Sequence, residues 1–426
     1  MSLQRMIADA DGRSLLVRAE AKPFVRGAVT CEDTRGDWVR PVRFAPRQVR
    51  SLGSCQAWHP GLYRQMARAT AGVSLVFSTN ASQIALEVAI DDEPTVVRDL
   101  RMRVEGPSAE EVRAKAVRAI DAREEGPREA AGGVALGVSA FDGIACEVDG
   151  QHLAPSWGEE LTVSLDADGA DLGKLPAGAR LVSFVLDDPA TAPGGGVQML
   201  PGFGPTRRVR LWLPCLRGVR VRALWGDGTG FDAVPERPSL LVLGDGPAQG
   251  LACGDPSLAW PAQLASRLGC DLINQSLHRQ VFQPGMLAGV GAIGNVADVA
   301  GIVVSLGATY RRERCAPRLA AADVRTFLAE LARVFPNVPT WVLTPLWLDE
   351  ARVPMHPGSC IDDLESMLAA NVAAHDGMEL VDGPRLIDHH AELLADGEEL
   401  PGSKGMLQIA RRLEKHIRTS PLELQS

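Results

Sequence analysis

Residues 244–250 read Gly244-Asp245-Gly246-Pro247-Ala248-Gln249-Gly250, directly after the apolar run Leu240-Leu241-Val242-Leu243. A sharp turn between a buried strand and a helix is the corner on which hydrolases raise a nucleophile, but Gly246 at its apex has no side chain to react. Ser276 and His278 follow a second apolar run, and Cys253 lies seven residues past Gly246. Cys253 or Ser276 with His278 is the only nucleophile–base pairing these stretches offer. Residues two apart on a strand share a face while their side chains diverge along it, so Ser276 and His278 need a loop to meet. His389-His390 beside Asp388 lacks a second ligand group at metal spacing, and His356-Pro-Gly-Ser-Cys360 reads as a turn entering a helix. Neither a G-x-G-x-x-G nor a Walker A loop follows any strand. No metal or cofactor is expected.

Two units are needed to hold these groups. The first reads as β: residues 73–78, 84–90, 208–214 and 219–225 carry continuous or alternating apolar patterns with Gly, Pro and Asp between them, which predicts a β-sandwich. Residues 208–214 and 219–225 read as a hairpin across Cys215–Gly218. The capping pattern Ser108-Ala-Glu-Glu111 and the stop Gly126-Pro127 predict an exposed helical insertion at 108–125. After Pro238 strands and helices alternate: strands near 239–245, 271–275, 300–306, 339–345 and 378–382, helices near 258–268, 318–335, 360–374 and 402–418. That alternation predicts a parallel sheet covered on both faces, with a cleft beyond the carboxyl ends of its strands. The expected division is an extension at 1–24, a sandwich over 25–235, an α/β domain over 236–420 and a tail at 421–426.

The turns of the second unit resemble, in order, the sequence blocks of the SGNH/GDSL hydrolases. Gly244-Asp245-Gly246 resembles the Gly-Asp-Ser block, Asn274-Gln275-Ser276 the Asn-x-Gly block, Ser305-Leu-Gly307-Ala-Thr309-Tyr310 the Gly-x-Asn-Asp block, and Asp396 to Pro401 the Asp-x-x-His-Pro block. Upstream, 71–81 and Ala140-Phe-Asp142-Gly-Ile144 resemble a subgroup with an N-terminal β-sandwich, in which the second stretch is Gly-x-Asp-Leu-Tyr. The resemblance implies a flavodoxin-like α/β domain behind a jelly-roll-like sandwich, and an ancestral carboxyl-ester or acyl-carbohydrate hydrolase. It also implies what has changed. Gly246 replaces the serine, Ser276 the oxyanion glycine, whose N–H is expected to survive, and Thr309 the asparagine. Glu399 or Leu400 replaces the histidine; one extra residue in the segment leaves both open. Asp245 and Asp396 are retained. Losing one triad member costs on the order of 10⁴–10⁶ in rate, so the inherited reaction is expected to be gone.

The reading is therefore a pseudo-esterase with a pocket at Asp245, Gly246, Ser276, His278, Gly307, Thr309 and Tyr310. It would take a small acylated or carbohydrate ligand, or serve as a subunit beside a protein partner or a second copy. The alternative is an active hydrolase or acyltransferase with a relocated nucleophile. A net charge of −9 over 426 residues, 46% of them apolar, argues against a nucleic-acid binder, although residues 1–50 carry ten Lys/Arg against six Asp/Glu. The absence of an apolar leader or long apolar run, and eight scattered cysteines, point to a cytoplasmic protein with reduced thiols and no membrane partner.

Overall fold

The computed structural model describes residues 17–105, 142–161, 175–186, 205–292 and 298–425. The predicted insertion at 108–125 lies outside them. Two antiparallel sheets and one parallel sheet organise the chain. In the seven-stranded sheet, Val219–Gly226 lies between Val39–Val42 and Gln83–Ile90, and Ala179–Val185 follows on the far side. In the six-stranded sheet, Arg207–Trp212 runs between Ser74–Thr79 and Ile144–Val148. Leu75, Phe77, Ile84, Leu86, Val88, Val209, Leu211 and Val221 are buried in one cluster, so the two sheets close face to face on their alternate apolar residues.

This arrangement corrects the hairpin. Arg207–Trp212 and Val219–Gly226 belong to different sheets, and the segment between them crosses from one to the other. Pro214 lacks a ladder donor, and the Asp142 carboxylate takes the N–H groups of Cys215 and Leu216 at 2.7 Å each, so the link is fixed as a corner. Burial pushes the Asp142 carboxyl up to about 6 against those bonds.

The parallel sheet runs in the order Asp271–Asn274, Ser239–Gly244, Val299–Ser305, Thr340–Leu343, Met378–Val381. With the second strand outside the first, the switch point falls between Ser239–Gly244 and Val299–Ser305, whose carboxyl ends carry Asp245 and Thr309. Helices Trp260–Leu268, Pro317–Val334, Ile361–Val372 and Ser403–Thr419 bury their apolar stripes against this sheet. No helix among the described residues is long and apolar enough to cross a membrane.

The upstream unit is fastened to the sheet by buried polar bonds. The Arg43 guanidinium, 1% exposed, donates to the carbonyls of Ala69 (2.6 Å), Met66 (2.9 Å), Asn274 (2.7 Å) and Ser276 (3.2 Å). Gln48 and Gln275 join side chain to side chain at 2.9 Å, and Arg210 pairs with Asp271 at 2.7 Å. A charge taken out of water in this way is tolerated only while its donors stay occupied. Arg43→Met strips a donor from each of these carbonyls and is expected to cost about 3 kcal/mol of stability, read by chemical denaturation.

The cysteines depart from the expectation of thiols throughout. Cys315 and Cys360 form a disulfide with their Cα atoms 5.6 Å apart. A spacing of 45 residues gave no signal, but the turn at His356–Ser359 folds back so that Cys315 N–H meets Gly358 O at 2.8 Å, which brings the two sulfurs together.

Candidate functional site

A cavity of ≈ 540 Å³ opens at the carboxyl ends of the parallel strands, within the size range of small-molecule sites. Asp245, Gly246, His278, Thr309, Glu399 and Leu400 all line it, so four separate turns converge as the strand pattern requires. Its opposite wall comes from the upstream unit. Helix Thr95–Glu105 contributes Val96, Asp99, Leu100, Met102 and Arg103.

The turn itself explains why Gly246 is glycine. Asp245 takes an extended conformation, Gln249 N–H closes on Asp245 O at 2.8 Å, and the short helix Gly246–Gln249 starts at the apex. A Cβ built on Gly246 would stand 2.7 Å from Nδ1 of His278, far inside van der Waals contact. The imidazole therefore stands against the space from which a nucleophile would project. The backbone N–H of His278 donates to Gln249 Oε1 at 2.8 Å, which fixes the main chain from which the ring departs. Burial, followed by the positive charges of Arg279, His59, Arg103 and Arg312, pushes its pKa down to about 3. The ring is neutral at physiological pH and a poor general base.

The remaining blocks have been put to other uses. Ser276 is fully buried and does not line the cavity, and its N–H donates to Asn274 Oδ1 at 2.9 Å. The expected surviving oxyanion donor is thus already spent. Asn274 Nδ2 in turn donates to Ala248 O at 2.8 Å, tying this strand end to the Gly246 turn. Gly307, also absent from the lining, has φ +112°, and a Cβ there would meet Leu364 Cδ2 at 2.5 Å; its role is backbone shape. Tyr310 is fully buried, packs edge-on against Trp58 with ring centroids 5.4 Å apart, and fills the core beside the cavity.

At the last block both candidates for the missing histidine line the cavity, and neither does its work. Glu399 accepts from Arg312 Nε at 2.8 Å, and Leu400 is 2% exposed. Asp396 Oδ1 accepts the N–H groups of Glu398, Glu399 and Leu400 at 2.9, 2.9 and 3.0 Å, so the carboxylate that would orient a base organises a loop. Asp245 is 6% exposed; burial, with Glu399 adding its charge, pushes its carboxyl up to about 8.

The pairing of Cys253 with His278 does not form. Cys253 is a free, buried thiol, 1% exposed, and lies outside the cavity lining. The other histidine candidates are also accounted for: His389 stacks on Trp347 at 5.0 Å, and His356 Nδ1 accepts Gly358 N–H at 3.0 Å. Among the described residues no three His, Cys, Asp or Glu side chains are grouped to hold a metal ion. Sequence reasoning missed Arg312, Glu313 and the helix Thr95–Glu105, although Val97, Leu100 and Val104 carry its i, i+3, i+7 spacing.

No family model matches the chain, and no curated protein matches it. Solved structures do. A salicylyl-acyltransferase from a tetracycline biosynthetic pathway superposes with a TM-score of 0.65 at 16% identity, covering 96% of this chain and 100% of that one. A putative GDSL-like lipase from Bacteroides ovatus gives 0.61 at 13% identity over 96% and 100%, and a family two carbohydrate esterase from Cellvibrio japonicus gives 0.54 at 10% over 95% and 97%. These likenesses establish the fold, an SGNH/GDSL-type α/β domain combined with a β-sandwich.

Two outcomes check this geometry. Gly246→Ala is expected to cost ~1–3 kcal/mol by overpacking, with most of it recovered in the Gly246→Ala/His278→Ala double variant, read by denaturation. For Asp245, a folded-state pKa of about 8 against 3.8 unfolded means that the folded chain binds the proton more tightly. Stability therefore falls as pH rises between those values and levels off above the folded one. Asp245→Asn is expected to flatten Tm against pH across that window.

Proposed function

We propose that this chain is an SGNH/GDSL-fold protein that binds a small molecule in the cavity at Gly246 and does not hydrolyse esters there. The observation that carries this reading is the contact between Gly246 and His278. A drifted serine would leave a gap that a reversion refills, whereas here the imidazole stands at 2.7 Å from any Cβ that position could carry. Two further observations support it. Ser276 N–H is committed to Asn274, and Asp396 has no imidazole to orient. Nucleophile, base and one oxyanion donor are then missing together, and what remains in such sites is worth roughly 10³-fold over water.

A relocated nucleophile finds no support in this geometry. Ser276 and Cys253 are buried outside the cavity, and His278 is too weak a base to activate either.

The lining also bears on the ligand. Val96, Leu100, Met102, Leu306, Leu346 and Leu348 make much of the wall, and among the described residues no Trp, Tyr or Phe lines it. A sugar offers its C–H face to an aromatic ring and its hydroxyls to polar groups that are free to pair. Here the rings are missing, and Glu399 and Glu313 are already engaged by Arg312 and His59 at 2.8 and 2.9 Å. An aliphatic, acyl-type ligand fits this wall better than a carbohydrate.

Purified wild-type protein and Gly246→Ser, each incubated with p-nitrophenyl acetate and p-nitrophenyl octanoate, test the proposal. Both are expected to release nitrophenol at the rate of the protein-free buffer. Turnover by the wild type, abolished by His278→Ala, would overturn it.

A further inference from the structure

Resting on the binding reading above, we infer that the ligand is an aliphatic carboxylate, with its head group in the space beside Gly246 and its chain along the apolar wall. His278 supplies the first argument. It lines the cavity while being only 8% exposed, and its Nε2 is buried without a hydrogen-bond partner. A neutral imidazole carries one proton, and a buried N–H without an acceptor is rarer in folded proteins than a buried lone pair without a donor. The favoured tautomer leaves Nε2 bare and places the proton on Nδ1, the nitrogen facing the Gly246 space. A fixed N–H donor aimed at that space calls for an acceptor on the ligand.

Charge narrows the acceptor to an anion. Arg103, Arg279 and Arg312 line the same cavity, and with His59 they set the positive field acting on the ring. Of the acids nearby, Glu399 is held by Arg312, Glu313 is shared by His59 (2.9 Å) and Arg279 (3.8 Å), and Asp99 stands exposed on the same helix as Arg103. Asp245, protonated at neutral pH, adds no charge against an incoming carboxylate. Thr309, whose side chain carries a hydroxyl, lines the same cavity. An ester or an alcohol can accept from Nδ1–H, but neither carries a charge for this field to hold.

Calorimetric titration of the full chain with decanoate, methyl decanoate and decanol tests the inference. Decanoate is expected to bind on the order of tenfold more tightly than either neutral analogue. His278→Leu is expected to bring decanoate affinity down to that of methyl decanoate measured on the same variant. Thr309→Val, a near-isosteric change, is expected to narrow the preference in the same direction should the histidine variant fail to fold. Equal affinity for acid and ester, or no binding of any of the three, overturns the carboxylate inference. Conversion of methyl decanoate to decanoate would instead overturn the non-hydrolytic reading on which it rests.

Discussion

The approach of His278 to Gly246 is the contact around which the site is arranged. Interiors are packed to crystal-like density, so a ring nitrogen 2.7 Å from a potential Cβ makes glycine a steric requirement. The neighbouring residues at the strand ends are engaged with one another. Ser276 N–H donates to Asn274 Oδ1, and Asp396 gathers the backbone N–H groups of Glu398, Glu399 and Leu400. Arg312 pairs with Glu399 at 2.8 Å and with Glu398 at 3.5 Å at the cavity.

What holds this arrangement is the junction between the two units. Arg43, reaching from the upstream unit to the carbonyls of Asn274 and Ser276, fixes the strand end from which His278 departs. Asn274 then bonds Ala248 in the Gly246 helix, so one chain of hydrogen bonds runs from the upstream unit to the apex of the turn. Helix Thr95–Glu105 completes the cavity from the same side. The cavity is thus a joint product of both units, and the apolar side chains from the helix give it a character that the strand ends alone would not.

Much of this was legible in the sequence. The five parallel strands and four covering helices fall within about two residues of their expected places, because each carries an unambiguous period and clear stops at Gly or Pro. Gly246, Thr309, Glu399 and His278 line one cavity, because strand order brings their turns together. What sequence left hidden depended on long-range packing. The crossover at Cys215–Gly218 looks like a hairpin until Asp142 is seen pinning it. Tyr310 and Gly307 stand at the right turn but face inward, a matter of one rotation in a short helix. The Cys315–Cys360 bridge depends on loops whose paths no local pattern encodes.

Solved structures of similar fold include ones described as a lipase, an esterase and an acyltransferase, so the sharpest question about this chain is chemical. Intact-mass measurement of the purified protein after exposure to a fluorophosphonate probe asks whether any side chain in the cavity is an activated nucleophile. The account predicts an unmodified mass. A stoichiometric adduct, mapped by peptide sequencing to a residue lining the cavity at Gly246, would contradict it.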